Sequence, residues 1–381
     1  MFKAPIQLLN ECNTLTSQTI DDLQLDILYN DILGKEEEKS VREIWTNHFT
    51  TNTAYLKNTQ TLLKKGVFNN QEYKRIKGLF REIKDNPSFR EKYEYITVEF
   101  FEAMNTNPHM LQLISMYSLT SPLLSLLIPF IMLVIPFFIL RVRGSTISMS
   151  AYLTELKKVL SMLPIGKLFD LKNISMDQRG FVLFSVILYF VQIYQNSITC
   201  YKFYKNSHKM VNELHEIANY NLTTADRMEQ VILQCKTLQL DSYIGFSKVL
   251  EEKVTYLREM ADQFLAIQSN VFKDMGLKMK YYFDLYSDNL LEETMNYTFG
   301  FHEYIDNLNT LSDAKLSNCT FSKKYSTLTN CYHGILRSEN PIKNSVKLTE
   351  KNIILSGPNA ISSIWGISFE SESVPIGILK F

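Results

Sequence analysis

The sequence predicts a mainly α-helical protein, with helical core and lever domains that carry an apolar helical hairpin, followed by the incomplete start of an α/β domain. Three observations carry this expectation. Gly 13 and Pro 10 are few for 381 residues, which leaves little loop and argues against a large β or doubly wound sheet. Apolar residues recur at three- and four-residue steps along much of the chain. After about residue 316 the texture changes to short β-leaning pieces, turns and a proline.

The chain is long enough for two or three domains and a sizeable core. Lys+Arg 40 against Asp+Glu 40 leaves no net charge, so no global field draws the protein to nucleic acid, while local basic surfaces remain open. The cysteines are Cys12, Cys200, Cys235, Cys319 and Cys331. They are odd in number and include no Cys-x-x-Cys pair, which speaks against a disulfide framework or a structural zinc site and points to a reducing intracellular compartment. "MFKAPIQLLNECNTLT" at the N-terminus lacks the long apolar core of a secretory signal.

Residues 1–110 form an N-terminal helical region. Leu23, Leu25, Ile27, Leu28 and Ile32 supply its first stripe, with Gly34 as the stop. "GKEEEKSVREIW" reads as the wet face of a helix, and "AYLKNTQTLLKKGVF" is a second stripe that ends at Gly66.

Residues 111–200 form the apolar hairpin. No Asp, Glu, Lys or Arg occurs from Ala103 to Leu140. "SPLLSLLIPFIMLVIPFFIL", residues 121–140, matches the roughly 20 apolar residues that a bilayer core requires and ends on Arg141 and Arg143. Pro122, Pro129 and Pro136 recur every seven residues, a pattern that would kink a helix but is tolerated in membranes. "FVLFSVILYFVQIY", residues 181–194, suits a buried core helix as well as a membrane one. A hairpin packed inside a large helical domain therefore stands beside membrane insertion. Lysines and arginines lie both between the two runs and beyond the second, so no orientation follows.

Residues 201–315 are amphipathic lever or core helices, in which Phe246, Val249, Leu250, Val254, Leu257, Ala261 and Phe264 share one face. Residues 316–381 read as the start of an α/β domain. Asn352, Ile353, Ile354 and Leu355 read as a short buried strand, and Ser356, Gly357, Pro358 and Asn359 are expected to turn out of it as a phosphate-binding loop does.

The segment "CYHGILRSENPIKNSVKLTEKNIILSGPNA", residues 331–360, resembles the start of the ATPase domain of the MutS family of DNA mismatch-repair proteins. Tyr332, His333 and Leu336 match the family's first element there, with Gly334 in place of its usual proline. Pro341, Asn344, Val346 and Leu348 match the second element, and Ile353, Ile354, Gly357, Pro358 and Asn359 match the strand and the loop that follows. The resemblance is close over about 30 residues. Upstream, the long helices are similar to the family's levers only in general texture. The apolar hairpin looks like the insertion of some divergent MutS-like proteins, including those of large DNA viruses.

By this resemblance the protein would bind DNA, act as a dimer and use ATP with Mg²⁺. Gly357, Pro358, Asn359 and Ala360 would be what remains of the nucleotide-binding loop. In the family the loop continues to a glycine, a lysine that meets the phosphates and a Ser/Thr that holds the metal. Here Ser362, Ser363 and Ile364 stand in those places, and 24 residues follow Gly357. The expectation is a chain that stops just inside the ATPase domain and does not hydrolyse ATP. "FFEAM" at 100–104 has the Phe101–Glu102 letters of the family's mismatch reader without its context.

Other chemistry is weakly represented. The histidines (His48, His109, His208, His215, His302 and His333) are dispersed. His208 and His215 could share a helical face, yet no carboxylate motif accompanies them, and they read as ordinary surface or packing residues. No nucleophile elbow, metalloprotease or kinase signature occurs. Phe 24 and Tyr 21 are abundant without a basic stripe, so they read as core more than as a base-stacking platform. The alternative to a MutS-like protein is a non-enzymatic, membrane-associated helical protein anchored through 121–140 and 181–194.

Overall fold

The structure is a computed structural model; it describes residues 2–33, 40–66, 73–144, 148–161, 176–268, 270, 273–313, 326–331 and 344–348. Helix accounts for 82% of the described residues, so the mainly helical expectation holds. In chain order the elements are β1 (Cys12–Thr14), α1 (Ser17–Asp22), α2 (Leu25–Leu33), α3 (Ser40–Asn47), β2 (His48–Thr50), α4 (Thr53–Lys65), α5 (Lys74–Lys84) and α6 (Phe89–Lys92). Then come α7 (Pro108–Val142), α8 (Met149–Leu160), α9 (Met176–Thr237), α10 (Ile244–Leu265), α11 (Met275–Ser287), α12 (Asn289–Asp313), β3 (Ser326–Cys331) and β4 (Asn344–Leu348).

Helix starts follow local chemistry. The side chains of Thr16, Asn52, Asn107 and Ser148 accept hydrogen bonds from the first backbone N–H groups of α1, α4, α7 and α8. Pro108 occupies the first turn of α7, where its missing N–H costs nothing. Two differences from the sequence reading stand out. The N-terminal region holds an antiparallel pair of short strands, with Asn13 opposite Phe49. The second apolar run and the lever residues after it form one unbroken helix of 62 residues, α9.

The chain divides into two compact units. The first comprises residues 1–79, 217–262 and 288–381. Its core is built on α12, against which α2, α3 and α4 pack. Gly300 lies so close to Phe2 that an added Cβ would stand 2.3 Å from the Phe2 Cβ. That space admits the Phe2 ring, whose centroid is 5.2 Å from Tyr297 and 5.7 Å from Tyr304. Trp45 stacks on Tyr304, and Tyr55 stacks on Tyr243.

Some buried polar groups in this unit pair with one another, while others, such as both amide atoms of Asn221, make no hydrogen bond among the described residues. Tyr220 Oη donates to Thr298 Oγ1 at 2.9 Å, and Thr224 Oγ1 lies 2.9 Å from His302 Nε2. The strands β3 and β4 pair antiparallel, with Leu328 opposite Val346. The remainder of 316–381 lies outside the described residues.

The second unit comprises residues 80–216 and 263–287. Phe89 is fully buried and stacks on Tyr286, Tyr95 and Tyr282. Tyr282 Oη donates to Glu213 Oε2 at 2.6 Å, and Lys209 Nζ bridges Glu213 Oε1 at 3.3 Å and Glu82 Oε1 at 3.0 Å. The base of α7 is held by α11 through backbone contact. Gly276 N donates to Gln112 Oε1 at 2.8 Å, and a Cβ at Gly276 would fall 2.0 Å from the Pro108 carbonyl oxygen. Only glycine lets these helices meet so closely.

His302 gives the first unit a pH signature. Burial, aided by the nearby Arg227 charge, lowers its pKa from 6.5 to about 4. Unfolded, the imidazole takes up a proton below about pH 6.5, whereas folded it does so only below about 4. Its contribution is therefore complete above pH 6.5 and is lost as pH falls toward 4. At 1.36 kcal/mol per unit the loss is on the order of 3 kcal/mol. Urea midpoints measured from pH 7 down to pH 4 are expected to fall, and to fall less steeply in His302→Asn; equal slopes in the two proteins would remove His302 as the cause.

Candidate membrane-facing helical hairpin

Helices α7 and α9 are both long and apolar enough to cross a membrane by length and composition. The qualifying stretches are Pro108–Ile128 and Arg179–Thr237, each containing an 18-residue window with a mean hydropathy of 1.5, and Phe130–Val142 is a further apolar piece of α7. Their burial sets them apart from core helices. The most apolar windows are 28% buried in the first stretch and 6% in the second. Leu123, Phe130, Phe138, Phe181, Ile187 and Phe190 all point outward. Each such side chain forgoes about 1.5–3 kcal/mol if it stays in water. A patch of this size marks a surface built to meet something apolar.

Four polar residues of the pair, Ser125, Tyr189, Asn196 and Cys200, meet in the seam between the helices, while Gln192, Gln195, Ser197 and Thr199 of α9 are exposed. Cys200 Sγ lies 3.4 Å from the Leu119 carbonyl oxygen, near one end. Asn196 Nδ2 donates to Ser125 Oγ at 2.7 Å. Tyr189 Oη donates to the Ser125 carbonyl oxygen at 2.8 Å. Later residues of α9 thus meet earlier residues of α7, so the two helices run antiparallel.

The Tyr189 bond repairs a defect that the sequence writes into α7. In an α-helix the carbonyl of residue 125 accepts from the N–H of residue 129. Pro129 has no N–H, and so leaves that carbonyl open. The Tyr189 hydroxyl fills the vacancy from the neighbouring helix. Pro122 opens the Ser118 carbonyl in the same way, and Ser121 Oγ lies 3.5 Å from it. Helix α7 runs unbroken through its prolines from Pro108 to Val142. Apolar surroundings allow prolines in a helix when neighbouring groups re-satisfy the backbone, as Tyr189 does for the Ser125 carbonyl.

Carrying the observed register along the pair sets Gly180–Tyr201 beside Leu119–Leu140. Neither stretch contains an ionisable side chain other than the Tyr189, Tyr194, Cys200 and Tyr201 groups, and each has 22 residues. Arg141, Arg143 and Arg179 bound one end, and Lys202, Lys205 and Lys209 bound the other. Tyr117 and Tyr201, each 68% exposed, and Tyr204 sit at the lysine end. Helix α8 packs on α7 at the arginine end, where Tyr152 Oη donates to the Leu133 carbonyl oxygen at 2.8 Å and Glu155 pairs with Arg143 and Lys158.

The nucleotide-loop residues Gly357, Pro358, Asn359 and Ala360 lie outside the described residues, as do Tyr332, His333, Leu336 and Pro341. Asn344, Val346 and Leu348 lie on β4. Phe100 and Phe101 are exposed, while Glu102 pairs with Arg90. His208 packs edge-on against Tyr204, and His215 Nε2 lies 3.1 Å from the Ile267 carbonyl oxygen. Among the described residues no group of His, Cys, Asp or Glu could hold a metal ion. A cavity lined by Tyr29, Trp45, His48 and Tyr55 measures about 30 Å³, room for about one water and far below the 300–1,000 Å³ of ligand pockets.

Sequence reasoning found the apolar runs but missed Ser125, Tyr189 and Asn196. The spacing of Ser125 and Pro129 was the available signal, since a proline names the carbonyl four residues before it as open. No family model, curated protein or solved structure matches this chain.

Replacing Tyr189 by Phe removes one hydroxyl and leaves the Ser125 carbonyl without its donor. Interhelical hydrogen bonds in apolar surroundings are worth about 0.6–1.7 kcal/mol. Tyr189→Phe is expected to lower the unfolding midpoint of the protein in detergent by a loss of that order. Asn196→Leu is expected to couple to it non-additively, because both side chains meet Ser125. An unchanged midpoint in both single variants would show that the seam holds nothing together.

Proposed function

We propose that this chain is a MutS-like, DNA-handling helical protein seated on a membrane. The membrane half of the reading rests on one observation: α7 and α9 turn large apolar side chains outward and bond to each other through Ser125, Tyr189 and Asn196. The MutS-like half rests on the residues of 331–360, from Tyr332 and His333 through Asn344 and Val346 to the Gly357-Pro358-Asn359 turn. Under this reading DNA is the macromolecular substrate, a second MutS-like chain is the natural partner, and long helices transmit movement between sites.

ATP and Mg²⁺ belong to the reading only through the family. A phosphate loop needs a lysine for the phosphates and a hydroxyl for the metal. Ser363 carries no charge and Ile364 offers no oxygen at those places. The residues present do not fit the cofactor, so no step is routed through it and no hydrolysis is assigned to this chain.

The alternative, a non-enzymatic membrane-associated interaction protein, is favoured by the same outward-facing helices and requires no DNA. Two measurements separate the readings. Membranes carrying the protein are washed with alkaline carbonate, and the protein is expected to stay with the lipid; release into the supernatant would reject integral insertion. The detergent-solubilised protein is then titrated with fluorescent duplex DNA at rising salt. Binding is expected at low salt and should weaken with a log–log slope of about −0.9 for each phosphate neutralised. Indifference to DNA at low salt would leave the membrane protein and discard the MutS-like reading.

A further inference from the structure

We propose that α7 and α9 cross a lipid bilayer completely, as an antiparallel two-pass hairpin, with the segment around α8 on one face and the Lys202–Lys209 end on the other. The inference rests on the membrane reading above and adds a topology to it. Membrane association alone would equally allow a hairpin lying within one leaflet.

Length argues for full crossing. At 1.5 Å per residue, the 22 residues of Gly180–Tyr201 rise about 33 Å, against about 30 Å for a bilayer's hydrocarbon core. The register sets Leu119–Leu140, another 22 residues without Asp, Glu, Lys, Arg or His, alongside it. Two helices therefore present the same uncharged length at the same height, largely apolar along α7 and from Phe181 to Val191 in α9.

The ends argue for two interfaces. Arg141, Arg143 and Arg179 close the apolar band at one end, and Lys202, Lys205 and Lys209 close it at the other. A hairpin dipped into a single leaflet would need charges only at its open end, with an apolar tip. Here the tip is charged: Arg143 and Lys158 share the Glu155 carboxylate, and Lys157 and Lys158 stand exposed on α8. Burying such groups at mid-bilayer costs at least about 2.5–3.5 kcal/mol apiece. Tyr117, Tyr201 and Tyr204 cluster at the lysine end, where an amphipathic ring matches a membrane–water boundary.

The seam argues for lipid over a protein partner as the outer solvent. The Tyr189, Asn196 and Ser125 bonds close these three residues on one another. From Phe181 to Val191 and from Leu123 to Phe138 the outer surface is mostly hydrocarbon, and the exposed Gln192, Gln195, Ser197 and Thr199 are confined to the part of α9 nearer the lysine end. A protein partner would cover one stripe, whereas outward apolar side chains occur all along both helices.

The full chain is synthesised into sealed membrane vesicles as Thr97→Cys or Ser150→Cys. Both are exposed positions, the first before α7 and the second on α8. The vesicles are floated on a density gradient and treated with a membrane-impermeant maleimide before and after detergent, and modification is read peptide by peptide by mass spectrometry. Crossing predicts loss of modification at one of the two positions until detergent is added. Equal modification of both in floating, sealed vesicles would place the hairpin in one leaflet and overturn the topology while leaving membrane association standing. A chain that does not float, or that pairs with a second copy in the soluble fraction, would overturn both. Trypsin on the unaltered chain gives an independent reading: Lys92 or the Lys157–Lys158 pair should be protected in sealed vesicles, and cleavage at both sites would again reject crossing.

Discussion

The Ser125 carbonyl oxygen is the constraint on which the hairpin depends. A helix without charge can leave water only if every backbone group has a partner within the protein. Helix α7 cannot supply all of its own partners, because Pro122, Pro129 and Pro136 each withhold an N–H. Tyr189 reaches across from α9 to the carbonyl that Pro129 leaves open. That bond, with Asn196 on the Ser125 hydroxyl beside it, fixes which faces of the two helices meet. Once those faces are chosen, the leucines and phenylalanines have nowhere to go but outward.

The rest of the second unit serves as a root for that pair. The Gly276–Pro108 approach sets the base of α7 directly on backbone, where a side chain would have acted as a soft spacer. Around it, Asn105 closes both its amide groups on the Ile96 backbone at 2.9 Å, and Tyr95 Oη donates to the Met279 carbonyl oxygen at 2.7 Å. Tyrosine dominates because a ring with one hydroxyl can fill a core and still settle a buried acceptor. The first unit uses the same device at Tyr220 and Tyr243. Abundant tyrosine, which by composition alone could equally suggest base stacking, is in these places core.

Part of this was legible from one dimension. Helices form through bonds between near neighbours, so their periodicity is written locally: Phe246, Leu250, Leu257, Ala261 and Phe264 share the buried face of α10 as their spacing predicts. The uncharged stretch from Ala103 to Leu140 is likewise visible at once. Less visible was that the apolar 181–194 run and the polar lever after it are one helix. Hydropathy changes sign there while backbone geometry does not, and a composition boundary is not a helix end.

What the sequence by itself determined is the helical class, the positions of the apolar runs and the placing of charges at their ends. These follow from local hydrogen bonding and from the order of residue types. The tertiary structure decided which way those runs face, which polar residues they share and which distant segments belong to one compact unit. Either a buried core hairpin or an outward-facing one satisfies the same hydropathy profile. The exposure of Leu123, Phe130, Phe181 and Phe190 distinguishes them, and like the bonds of Tyr189 and Asn196 to Ser125, 64 and 71 positions away, it is a fact of three-dimensional packing that no local rule contains.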